Sequence, residues 1–71
     1  MGKFSNWTFR DIEKFLKLKG FINIGARGSH YYFKKDNKNL VVVPMHGSRA
    51  IPIGTLKSII RQSGIDESIW E

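Results

Sequence analysis

The chain has no cysteine and only two prolines among its 71 residues. Without thiols it can form no disulfide, no thiolate nucleophile and no cysteine-based zinc site. Long apolar runs are missing too: the longest cover a few residues, far below the ~20 needed to span a bilayer. Met1-Gly2-Lys3 is followed by no hydrophobic stretch of the signal-peptide kind. A cytoplasmic protein with no membrane association is therefore expected. Acid is scarce as well. Twelve Lys and Arg stand against six Asp and Glu, a formal net charge of +6. From Lys14 to Arg61 there are ten basic residues and a single acid, Asp36. Such a concentrated positive field suits a polyanionic partner, RNA or DNA above all. The plainer reading is that the lysines only keep a small domain soluble.

What is present points to a compact fold. Hydrophobic residues make up 41% of the chain and aromatic residues 13%, more than a disordered chain of this charge carries. The length allows one domain, here spanning residues 1–71, and no second core. A chain of this size buries only about 60% of its unfolded surface. Stability should be modest, since no disulfide supplements the core.

Helical signals bracket the chain. Thr8 is a good N-cap, Asp11 is placed to complete a capping box, and Trp7 and Ile12 occupy the hydrophobic staple positions. Phe9, Ile12, Phe15 and Leu16 then recur at three- and four-residue spacing, one apolar stripe with Arg10, Glu13, Lys14 and Lys17 opposite. Gly20 suits a Schellman cap, with Phe21 packing back on Leu16. A second helix is expected to begin near Pro52, to present Leu56, Ile59 and Ile60 on one face, and to close at Gly64 with Ile65 repeating the role of Phe21.

Between the helices the pattern is that of strands. Phe21 to Ile24 reads as a short first strand and Gly25-Ala26-Arg27-Gly28 as a turn. Ser29 to Lys34 and Leu40 to Val43 read as strands joined by the polar connection Lys35-Asp36-Asn37-Lys38-Asn39, with Pro44 ending the last. The expected fold is α+β: helix, three antiparallel strands, helix, with both helices on one face of the sheet. The other face is expected to be polar and open to a ligand.

Strand alternation sends Ser29, Tyr31 and Phe33 to one face and His30, Tyr32 and Lys34 to the other. If Tyr31 and Phe33 supply the core, His30 stands exposed with Lys34 on its face and Arg27 near the turn. An imidazole can exchange a proton near neutral pH, which cleavage of RNA without a metal requires. It can take the proton of a ribose 2′-hydroxyl or give one to the departing 5′-oxygen, while Lys or Arg stabilises the charge building on the phosphate. A phosphate contact, or a surface histidine with no special task, remains an alternative. His46 follows the third strand and can act as a second acid or base, as a phosphate contact or as a cap. No carboxylate lies near either histidine in the sequence, so neither metal nor cofactor is expected.

Read in order, the segments Lys19-Gly20-Phe21, Arg27-Gly28-Ser29-His30, Val43-Pro44-Met45-His46 and Gly54-Thr55-Leu56-Lys57-Ser58-Ile59-Ile60-Arg61-Gln62-Ser63-Gly64-Ile65 resemble the HicA family of bacterial toxins. The resemblance covers roughly residues 8–69. It implies a fold similar to the double-stranded RNA-binding domain, and an mRNA-cleaving toxin that a cognate HicB antitoxin neutralises in a hetero-oligomer. It also implies that the histidine of Gly-Ser-His, here His30, is catalytic. Many members carry a second histidine directly after it, where this chain has Tyr31. Arg27, Gly28, Ser29, Lys34, His46 and Arg49 are the candidate RNA contacts. A non-catalytic RNA-binding module, or an adaptor for an acidic protein, would use the same fold and charge.

Overall fold

The computed structural model describes residues 6–36 and 39–70. Its order is α1 (Phe9–Leu18), β1 (Ile22–Arg27), β2 (His30–Lys35), β3 (Asn39–Pro44) and α2 (Ile53–Ser63), with a short 3-10 turn at Glu67–Ile69. The strands form one antiparallel sheet in the order β1-β2-β3. This is the α-β-β-β-α arrangement that the periodicities call for.

Local chemistry starts and stops α1. The Thr8 N–H donates to Asp11 Oδ2 at 2.9 Å and the Asp11 N–H donates to Thr8 Oγ1 at 3.2 Å, closing a capping box. At the far end the Phe21 N–H reaches Leu16 O at 2.9 Å and the Gly20 N–H reaches Lys17 O at 3.1 Å, the two bonds of a Schellman motif. Leu16 and Phe21 are both buried, so the cap also delivers the chain into the core.

The end of α2 uses a different device from the one expected. Gly64 adopts a left-handed conformation and its N–H reaches Arg61 O at 3.3 Å, but the Ile65 N–H goes to Ser63 Oγ at 3.0 Å. That hydroxyl in turn donates to Ile60 O at 2.7 Å. A buried serine thus relays the bond that a Schellman motif would make directly. Pro52 stands at the N-cap of α2, one residue outside the helix, with no side-chain cap.

The core lies between the helices and one sheet face. Phe9, Ile12 and Leu16 of α1, Leu56, Ile59 and Ile60 of α2, and Phe33, Val41 and Val43 of the sheet are buried together. Two tryptophans complete it from outside these elements. Trp70 is wholly buried, its ring centroid 4.2 Å from Phe15 and 5.5 Å from Trp7. The outer edge of β3 is occupied by α2: the Val42 N–H donates to Gln62 Oε1 at 3.0 Å, and Asn39 Nδ2 donates to Gln62 O at 3.2 Å.

Two further expectations are corrected. Gly25, Ala26 and Arg27 are not a turn but the second half of β1, because Ala26 and Arg27 pair with Tyr31 and His30. The reversal is confined to Gly28 and Ser29. The open sheet face is mixed rather than polar: beside Arg27, His30 and Lys34, it exposes Ile22, Ile24 and Leu40, with Tyr32 and Val42 half-buried. No helix among the described residues covers that side, so the β-branched and aliphatic residues that favour strands remain in solvent. Of the connection after β2, Asp36 is described with a φ of +54°, whereas Asn37 and Lys38 lie outside the described residues, as do Met1-Gly2-Lys3.

Candidate functional site

The candidate residues gather at one end of the sheet because of two turns. Between β1 and β2 the chain reverses in two residues, with Gly28 at a φ of +61°. A two-residue hairpin of the II′ kind needs positive φ at its first central position, which an L-residue adopts only under strain. Gly28 is thus there for the turn. It makes Arg27 and His30 direct cross-strand partners, a relation that puts Cβ atoms about 5 Å apart. His30 is paired on its other side with Pro44 of β3. His30, Arg27, Gly28 and Ser29 are all exposed.

The second turn follows β3. The Met45 N–H donates to Ser29 O at 2.7 Å, which holds this segment against the hairpin turn. His46 O then accepts from the Arg49 N–H at 3.1 Å, with Gly47 between them at a φ of +64°. Ala50 bridges to Thr8, and the Ile51 N–H reaches Trp7 O at 2.7 Å. His46 and Arg49 therefore stand, exposed, at the two ends of a turn that backbone bonds fix on both sides. Hydrogen bonding brings that turn alongside Arg27-Gly28-Ser29-His30, although the two are sixteen or more residues apart in the chain.

Lys34 is placed differently. It shares the open face with His30, as strand alternation demands, but four residues along β2 separate them, a distance of about 13 Å. Lys34 is half-buried between Ile22 and Leu40 on the neighbouring strands. Asp36, the lone acid of the basic stretch, lies beyond the far end of β2 from His30.

Sequence reasoning passed over Tyr32. It lies between His30 and Lys34 on the same face, half-buried, beside a hollow lined by Ile24, Gly25, Ala26, Arg27 and Tyr32. Its visible signal was alternation alone, which does not say whether a ring is covered by the next strand. Among the described residues no three His, Asp or Glu side chains gather to hold a metal ion. No helix among them is long and apolar enough to cross a membrane.

What emerges is a small α+β domain with one sheet face sealed by helices and the other exposed, bearing a histidine beside an arginine at its edge. A family model described as the HicA toxin of bacterial toxin-antitoxin systems matches residues 9–65. The chain belongs to that family, and so is the toxin of a pair whose other member is an antitoxin. No curated protein matches it.

Proposed function

We propose that this toxin is an endoribonuclease that cleaves mRNA, with His30 as the proton-transferring residue. The observation that carries the reading is the pairing of an exposed His30 with Arg27 across a two-residue hairpin at the open end of the sheet. In the reaction the ribose 2′-oxygen loses its proton and bonds to phosphorus, while the bond from phosphorus to the 5′-oxygen breaks and that oxygen takes up a proton. His30 performs one of these transfers. Arg27 stabilises the negative charge that grows on the phosphoryl oxygens. Arg49 and His46, on the adjoining turn, hold the backbone on one side of the scissile bond, and Lys34 holds it farther along β2. Attack in line with the leaving oxygen needs a backbone that can turn, so single-stranded message is the substrate rather than a regular duplex.

Neutralisation falls to a cognate antitoxin of the HicB kind, forming a hetero-oligomer with the toxin. The exposed Ile22, Ile24 and Leu40 support a protein-binding role for the open face, since clustered apolar residues at a surface mark interaction sites.

Inducible expression of the wild type beside His30→Ala, with total mRNA examined, tests the assignment. The variant should keep its circular dichroism spectrum, because His30 is exposed, and should lose both cleavage and toxicity. Undiminished cleavage by a folded His30→Ala protein would refute it. RNA bound by the wild type but left whole would favour a binding module without catalysis.

A further inference from the structure

The register of β1 against β2 changes once, and the change has two effects on the open face. Ile22 pairs with Lys34 and Asn23 with Phe33, but the next pairs are Gly25 with Tyr32, Ala26 with Tyr31 and Arg27 with His30. Ile24 is the extra residue of a bulge. Asn23 spans it, its Oδ1 accepting from the Gly25 N–H at 2.8 Å. In an unbroken ladder Ile24 would stand opposite Tyr32, and Ala26 opposite His30. The bulge instead makes Arg27 the cross-strand partner of the histidine and leaves a glycine opposite the tyrosine. Gly25 has a φ of +137°, which side-chain-bearing residues rarely adopt, and a Cβ built there meets nothing within 4 Å. No side chain from that position covers the Tyr32 ring. The result is an open hollow of about 420 Å³, with the ring as a wall and Arg27 at the rim.

We propose that Tyr32 is a base-stacking residue: the nucleotide next to the scissile phosphate lays its base against the ring in this hollow. The proposal deepens the nuclease reading and rests on its placing of the scissile phosphate at His30. Tyr32 follows His30 by two residues on the same strand face, about 6.6 Å along β2, roughly one step of an unstacked RNA strand. Arg27 stands opposite His30 and also lines the hollow beside Tyr32, so it pairs with the phosphate that joins the two positions. Stacking on an aromatic ring accepts any base, because every base has a π-face. The substrate class is therefore single-stranded RNA with a splayed base, and selectivity by base identity has to come from elsewhere. A β-bulge beside an active site commonly re-aims side chains in this way.

Binding is measured on His30→Ala protein so that the RNA stays whole, using a single-stranded oligoribonucleotide and an oligomer of the same length that has ribose and phosphate but no bases. On that background Tyr32→Leu is expected to weaken binding of the RNA about 5- to 150-fold. Tyr32→Phe, which keeps the ring, should bind like the parent. The baseless oligomer should bind the parent and Tyr32→Leu alike. Circular dichroism checks that both variants fold, which the exposed face permits. The proposal is overturned if Tyr32→Leu binds RNA as tightly as the parent, or loses as much affinity for the baseless oligomer. It is also overturned if only binding of the antitoxin, the product of the adjacent gene, is weakened, which would make the hollow a socket for protein. Cleavage retained by His30→Ala would sink the catalytic assignment; binding is then read with an oligomer methylated at its ribose 2′-oxygens, which has no nucleophile for cleavage, so the two failures can be told apart.

Discussion

Replacing Trp70 by alanine should nearly unfold the domain, although the residue lies outside both main helices and the sheet. Its side chain is wholly buried, with ring centroids of Phe15 at 4.2 Å and Trp7 at 5.5 Å. A buried aromatic ring removes ~150–250 Å² from water, which at ~25 cal/mol/Å² is about 4–6 kcal/mol, an upper figure because the unfolded chain is itself partly compact. One term opposes this. The indole Nε1 is buried with no hydrogen-bond partner among the described residues, and such an orphan costs about 1–3 kcal/mol, which alanine relieves. The cavity left behind adds back a comparable amount, so the net loss is about 3–5 kcal/mol. A domain of this length holds roughly 4–10 kcal/mol in all. The melting temperature should therefore fall by about 12–40 °C, at about 4–8 °C per kcal/mol for domains of this size. Trp70→Phe, which retains a ring and removes the orphan N–H, should lose less than half as much. Urea unfolding followed by circular dichroism measures both, with the midpoint moving and the slope unchanged. A loss under about 1 kcal/mol for Trp70→Ala would show that the C-terminal turn is not part of the cooperative core.

The edge of β3 offers a second test. Gln62→Ala removes the acceptor of the Val42 N–H. It should cost about 1–2 kcal/mol and speed hydrogen exchange at Val42 more than at Val41, and unchanged exchange at Val42 would show that the side chain does not guard the edge. Arg27→Gln should leave the melting temperature in place, since the side chain is exposed. It should weaken RNA binding and lower the slope of log affinity against log salt by about 0.7, the value of one lost phosphate contact on a single strand. An unaltered slope would mean that Arg27 does not touch the backbone.

The start of α1 was legible because a capping box is written within four residues, from Thr8 to Asp11, and needs no other part of the chain. Its stop at Lys19-Gly20-Phe21 was equally local. The alternation of Tyr31 and Phe33 against His30 and Tyr32 follows from the pleat alone, so the exposure of His30 could be expected before any coordinates. Gly-Ser-His marked the same residue through its resemblance to a family. The direct pairing of Arg27 with His30 and the open hollow beside Tyr32 could not be read that way. A glycine between apolar residues signals a turn and a bulge alike, and only pairing with β2 decides that Gly25 belongs to a strand.

Residue type and spacing along this chain were enough to determine where helices start, which stripes turn inward and on which side of β2 the imidazole emerges, since each depends on neighbours a few positions away. Tertiary structure alone decided that Arg27 pairs with His30, that Gly25 stands opposite Tyr32, that Ser63 relays the end of α2, and that Trp7 and Trp70 close the core. Those outcomes depend on register and packing between segments distant in the chain. A shift of one residue in the pairing changes every cross-strand neighbour beyond it while leaving the sequence untouched.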